Sequence, residues 1–291
     1  MQSDKNGGCG REGKARIALL ADAVRDAKPL VHCITNYVTV NDCANAILAS
    51  GGAPVMADDE AEAACIAGIA DALVINIGTL NARTIRSMEL AGLEAARRGI
   101  PIVLDPVGAG ASPFRTETAL SLLGKIPFTV IRGNASEIRT LASGTGTTRG
   151  VDASEADARE TGLDSIRHEA IILSLKAKAT VAVTGETDIV TDGKRSYAIR
   201  NGHPLMGRIT GSGCMLTALL GAYAGANGKI AAPLEAIDAT AAALCAMGIA
   251  GERAARTAGK AGTGSYRVAL IDALSQIGSR DVLKGMKLDA R

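Results

Sequence analysis

Tryptophan is absent from the 291 residues, and only two phenylalanines and four tyrosines are present. A core without large rings has to be packed from Ala, Val, Ile and Leu, the bulk of an apolar fraction of 47%. Such residues suit helices laid closely on a buried parallel sheet. The scarcity of rings leaves few stacking platforms for bases. With 32 basic against 30 acidic residues, a formal charge of +2 and no basic block, nucleic-acid binding is disfavoured.

Cysteine pairs at metal-ligand spacing are also missing. The six cysteines (Cys9, Cys33, Cys43, Cys65, Cys214, Cys245) form no CxxC unit. In a chain this long most are expected to be small buried hydrophobes in a reducing, cytoplasmic compartment. The first sixteen residues, MQSDKNGGCGREGKAR, lack an apolar signal core. They read as a flexible leader over residues 1–14, followed by a single domain over 15–291. The longest uncharged run, residues 209–228, approaches the length of a bilayer span. Its Gly, Ser and Thr content points instead to a buried helix, so no membrane association is expected.

What remains is a regular alternation. Short apolar runs at 30–34, 53–56, 72–77, 102–104, 128–131 and 180–183 have the unbroken character of strands covered on both faces. Helical stretches at 40–50, 59–69, 81–98, 116–125, 136–143 and 165–178 separate them. This rhythm predicts an α/β fold with a mostly parallel sheet flanked by helices on both faces. Two further strands around Asp192-Gly193 read as a hairpin. Ala-rich helices at 211–224, 233–254 and 263–277 follow, and residues 144–153 read as a surface loop. In such sheets ligands sit at the carboxyl ends of the strands.

Four groups of residues at those ends carry candidate chemistry. TGSGC at 210–214 opens an apolar helix, where glycines allow a tight turn and unpaired N–H groups form an anion nest from Gly211, Ser212 and Gly213. Cys214 falls in the first turn, at the helix's positive end. Asp105 ends one run, and Arg132, Asn134 and Glu137 follow the next. The two acids are expected at an exposed crevice edge, where carboxylates can hold hydrated Mg²⁺, with Arg132 placed to meet phosphate oxygens. Asn134-x-x-Glu137 has equally the spacing of a helix capping box. Thr184 ends a further run and offers a hydroxyl to a phosphate or to the loop backbone. Asn36, Met56 and Gly78 close other strands, while His32 reads as a core histidine. A GxxxxGK[ST] loop, GxSxG with an ordered Asp and His, and a GxGxxG after the first strand are all missing, which argues against P-loop NTPases, the usual hydrolases and Rossmann dehydrogenases.

Seven blocks in order, HCITNYVT (32–39), APVMA (53–57), NIGTL (76–80), DPVGAGAS (105–112), RGNASEI (132–138), VTGE (183–186) and TGSGCM (210–215), resemble the hydroxyethylthiazole kinases of the ribokinase-like superfamily. The resemblance implies a ribokinase-like fold and ATP-dependent phosphorylation of the hydroxyl of 4-methyl-5-(2-hydroxyethyl)thiazole in thiamin salvage. It implies a thiazole pocket of Asn36, Val38, Met56, Gly78 and Gly211, nucleotide-phosphate contacts from Arg132 and Thr184, and Mg²⁺ carboxylates Asp105 and Glu137. It places Cys214 where the wider superfamily carries a catalytic Asp. It further implies a homotrimer with the thiazole site between subunits. Two alternatives remain on the residues alone: an ATP-dependent dehydratase of the same fold, expected to keep Asp at position 214, and a non-catalytic ligand-binding relative, expected to have lost Asp105, Glu137 or Arg132.

Overall fold

The computed structural model describes residues 10–144 and 160–291. The loop expected at 144–153 falls, beyond Gly144, outside the described residues, as do residues 1–9 of the expected leader. Strands β1 (Leu30–Ile34), β2 (Ala53–Val55), β3 (Ala72–Asn76), β4 (Ile102–Asp105), β5 (Val130–Asn134) and β6 (Thr180–Thr184) run parallel. Their spatial order is β2-β1-β3-β4-β5-β6. The hairpin β7 (Asp188–Thr191) and β8 (Ser196–Ile199), then β9 (Leu288–Ala290), continue the sheet antiparallel.

The pleat sorts side chains to two faces. Val31, Val74, Val103, Val130 and Ala182 point to one core. It is completed by helices α1 (Arg11–Ala27), α2 (Val40–Ser50), α8 (Ser212–Asn227), α9 (Ala236–Ala258), α10 (Thr263–Gln276) and α11 (Ser279–Gly285). Leu73, Ile75, Ile102, Leu104, Ile131 and Val181 point to the other. That core is closed by α3 (Ala63–Ala67), α4 (Ala82–Arg98), α5 (Pro113–Lys125), α6 (Ala135–Ser143) and α7 (Glu160–Ala177). Burial on both faces is why the strands read as unbroken apolar runs.

Local signals set most boundaries. Asn81 and Thr84 exchange side-chain bonds at the start of α4, and Ser112 with Pro113 opens α5. Three differences from the expected elements stand out. Residues 11–14, expected in the leader, instead open helix α1, whose Ile17, Leu20, Ala21 and Val24 recur at helical spacing and are buried. The helix expected at 59–69 contracts to Ala63–Ala67, since the Asp59 side chain accepts the Ala61 N–H and holds a turn in place of a first helical turn. Helix α11 and strand β9 were not anticipated.

The uncharged run at 209–228 is a buried helix, α8, and among the described residues no helix is long and apolar enough to cross a membrane. A Cβ on Gly221 would lie 2.5 Å from Val74 and 2.9 Å from Val31, so α8 rests directly on β1 and β3. Gly221→Ala overpacks this contact and is expected to cost about 1–3 kcal/mol. Urea denaturation checks this, and an unchanged midpoint would contradict the close approach.

Candidate active site

The same pleat gathers polar side chains at the carboxyl ends of the strands. Asn76, Asp105, Arg132 and Thr184 each stand two residues beyond a side chain that faces α8, and therefore project to that face too. Strand register sets Asn76 beside Asp105 and Asn134 beside Thr184.

Asp105 is fully buried, not at an exposed edge as expected. Its Oδ2 accepts from Thr217 Oγ1 at 2.7 Å, Asn76 Nδ2 at 2.9 Å and Arg132 Nη1 at 3.4 Å. Its Oδ1 has no partner. Burial pushes the Asp105 carboxyl above its ordinary range, against the opposing pull of the Arg132 charge. Glu137 is also buried; its Oε1 accepts from Gly108 N and its Oε2 from Asn134 N, both at 2.8 Å. With Asn134 accepting from Glu137 N, this completes the capping box of α6. Burial, and after it the negative charge of Asp105, push Glu137 up as well. Two carboxyls that repel each other, one with an unpartnered oxygen, fit a hydrated divalent cation. No larger cage exists: among the described residues no three His, Cys, Asp or Glu are arranged to hold a metal. Mg²⁺ commonly keeps several waters and takes one or two carboxylates.

Arg132 reaches outward from Asp105 to Thr184, with Nη2 donating to Oγ1 at 2.6 Å, and its Nε is buried without a partner. Thr184 in turn donates to the Gly133 carbonyl. Gly213 passes over the guanidinium so closely that a Cβ would sit 2.7 Å from Nη1. Two residues earlier Gly211 caps α8 at φ 84°, a left-handed conformation that favours glycine, against Thr39. The first turn of α8 thus lies against the Arg132–Thr184 pair.

Cys214 lies on the other side of that corner. Its Sγ accepts from Asn36 Nδ2 at 3.1 Å and Asn76 Nδ2 at 3.3 Å. Gly78 packs against Asn36, where a Cβ would fall at 2.8 Å. Met56 follows β2, half-buried against the core beneath α8. Val38 is 60% exposed on the turn after β1, two residues beyond Asn36. His32 is buried as expected; Nε2 lies 2.7 Å from the Ala57 carbonyl and burial holds its pKa down. Sequence reasoning missed Asn76 and Thr217. Asn76 is the one polar residue of β3, and Thr217 interrupts an apolar stretch of α8, which was the available signal.

A cavity of about 720 Å³ opens beside Arg132, Thr184, Ser212 and Gly213 and runs between the hairpin and α9, past Leu244 and Met247. Asn36, Val38, Met56, Gly78 and Gly211 do not line it. The residues lining the cavity and those around Cys214 thus form two groups, which meet at the start of α8 through Ser212 and Gly213.

The model of the hydroxyethylthiazole kinase family matches residues 21–280. The chain belongs to that family. Hydroxyethylthiazole kinase of Clostridium beijerinckii is 50% identical over 94% of this chain and 96% of its own. That of Ruminiclostridium cellulolyticum is 50% identical over 90% and 93%. The solved hydroxyethylthiazole kinase of Pyrococcus horikoshii superposes with a TM-score of 0.83 at 39% identity, covering 95% of this chain and 99% of that one. A pyridoxal kinase of Staphylococcus aureus (TM-score 0.56, 17% identity, 77% and 88% covered) and a ribokinase-like protein of Enterococcus faecalis (0.60, 12%, 89% and 95%) share the fold. The fold is thus ribokinase-like, and the enzyme is a kinase.

Asp188 shares the cavity wall and accepts from Gly185 N at 3.0 Å; burial raises its pKa to about 7, against the pull of Arg132. With an ordinary value of 3.8 the unfolded carboxyl ionises first, so this group lowers stability as pH rises from about 4 to about 7 and adds no further slope above. Asp188→Asn keeps the acceptor for Gly185 and removes the titration. Its stability, measured by denaturant unfolding, should gain on the parent across that window; a constant difference from pH 4 to 7 would rule out the titration.

Proposed function

We propose that the chain transfers the γ-phosphoryl group of ATP to the hydroxyl of 4-methyl-5-(2-hydroxyethyl)thiazole, releasing ADP and the phosphate ester used in thiamin salvage. The observation that carries this reading is Cys214 in the first turn of α8, beside the amides of Ser212 and Gly213 and bonded to Asn36 and Asn76. A thiol there, with Asp105, Glu137 and Arg132 all retained, also speaks against a dehydratase and a non-catalytic relative.

ATP occupies the cavity with its phosphates at Arg132 and Thr184. Asp105 and Glu137 hold hydrated Mg²⁺, which neutralises charge on the phosphates when bound. The thiazole lies on the open face, against Asn36, Val38, Met56, Gly78 and Gly211. Its hydroxyl oxygen attacks the γ-phosphorus in line as its proton passes toward Cys214 Sγ, or is oriented by it. The amides of Gly211, Ser212 and Gly213 stabilise the charge that develops on the transferred group. Tyr37 and Val38, 76% and 60% exposed beside Asn36, support a neighbouring subunit as the missing wall, and hence a homotrimer. Free, mostly buried cysteines and the use of ATP support a cytoplasmic enzyme.

Coupled ADP release should be at least about tenfold faster with the thiazole alcohol than with hydroxymethylpyrimidine or pyridoxal at equal concentration. Cys214→Ser should lower kcat about 10²–10⁴-fold with little change in either KM, the scale of one general-base contribution. A Ser variant matching the parent from pH 6 to 9 would leave the sulfur without a chemical role.

Asp105→Asn, which keeps size and an acceptor oxygen inside a buried network, should raise the Mg²⁺ concentration needed for half-maximal turnover by about tenfold or more, given one of two ligands weakened. Light scattering should give about three times the 29.6 kDa chain mass. An unshifted Mg²⁺ titration sinks the metal assignment, and a fully active monomer sinks the shared site.

A further inference from the structure

Asn76 makes four polar contacts through one side chain. Its Nδ2 donates to Asp105 Oδ2 at 2.9 Å and to Cys214 Sγ at 3.3 Å. Its Oδ1 accepts from Gly78 N at 2.9 Å and from Asn36 Nδ2 at 3.2 Å. A carboxamide has two N–H donors and two oxygen lone pairs, so its full capacity is used. The residue is 2% exposed, which leaves no water to replace a lost partner. Turning the amide over would set its oxygen against the Asp105 carboxylate and its NH₂ against two donors. One orientation is therefore enforced.

Asn36 is locked in the same way, with Oδ1 accepting from Thr39 N and Thr39 Oγ1. Both amides thus reach Cys214 Sγ from fixed directions as donors. Cys214 itself is only partly buried. Across the nitrogen of Asn76, the sulfur and the Asp105 carboxylate are held at a set separation on two different elements, α8 and β4.

Resting on the kinase reading above, we propose that Asn76 is the positioning residue of the reaction, coupling Cys214 on the acceptor side to Asp105 on the phosphate side. Displacement of reacting groups by about 1 Å can cost about 10²-fold in rate, so this bridge governs turnover more than nucleotide binding. A residue that merely satisfied the end of β3 would act on stability and on both substrates alike.

The test uses the full chain with Asn76→Ser, which removes the bridge without adding charge, and Asn76→Asp, which keeps the acceptor for Gly78 but loses both donors. Melting temperatures are recorded for each, and the pair covers a folding failure in either one. A folded variant should show kcat lowered about 10²-fold, with KM for ATP within about threefold of the parent. In a Cys214→Ala background the same substitution should cost at least about tenfold less than in the parent, because one of its two targets is gone. A folded variant with near-parental kcat overturns the proposal, and so do losses that simply multiply in the double variant. Failure of the kinase reading itself shows separately, as a parent chain that releases no ADP with the thiazole alcohol.

Discussion

A carboxylate with no solvent exposure stands where β3, β4, β5 and α8 converge, and the local structure is arranged to make that charge tolerable. Asp105 draws an amide from Asn76, a hydroxyl from Thr217 and a guanidinium from Arg132, all onto one oxygen. An isolated buried ion is expensive, and breaking a buried pair by removing one partner typically costs about 3–5 kcal/mol. The three donors come from three different elements, so the carboxylate acts as a tie between sheet and helix as well as a charge. Leaving Oδ1 without a partner keeps that arrangement incomplete within the chain. An incompletely satisfied buried carboxylate next to a second acid is a poor structural device and a reasonable seat for a cation.

From this tie the rest of the site follows outward. Arg132, anchored on Asp105, carries Thr184 on one side and passes beneath Gly213 on the other. Thr217, anchored on the same carboxylate, holds α8 one turn below Cys214. Asn76 completes the circuit by reaching Cys214 directly. The start of α8 is thereby set against the strand ends by hydrogen bonds from below, while Gly221 and its apolar neighbours set it by packing further along. The cluster is thereby tied to three strands and one helix at once, which fixes its side chains relative to one another.

Much of this was legible in the residues. The strand at 30–34 and the helix at 40–50 have the same bounds in the structure as in the sequence reading, because unbroken apolar runs and helical spacing are signals of local period. Asn134-x-x-Glu137 is the capping box its spacing announced, and the apolar stretch at 209–228 is a buried helix. The α1 stripe was equally local and was passed over beside a polar N-terminus. The shortening of α3 depended on an Asp59 side-chain turn, which competes with the helix for a backbone N–H and leaves little trace in composition. The short β9 pairs only with β8, which is remote in sequence, and so had no local pattern to announce it.

By itself the sequence determined the alternation of elements, the parallel sheet, the glycine-softened helix start and the residue types available at the strand ends. Those properties depend on neighbours a few positions apart. Only the tertiary structure decided that Asp105 and Glu137 are buried, that Asn76 and Thr217 belong to the cluster, and that Val38 stands open to solvent. Each of these depends on strand register and on where α8 lands: Asn76 and Asp105 are 29 positions apart, and Thr217 lies 112 from the carboxylate it serves. Residues at such separations meet because a packed sheet and helix bring them together, a relation with no local signature in the chain.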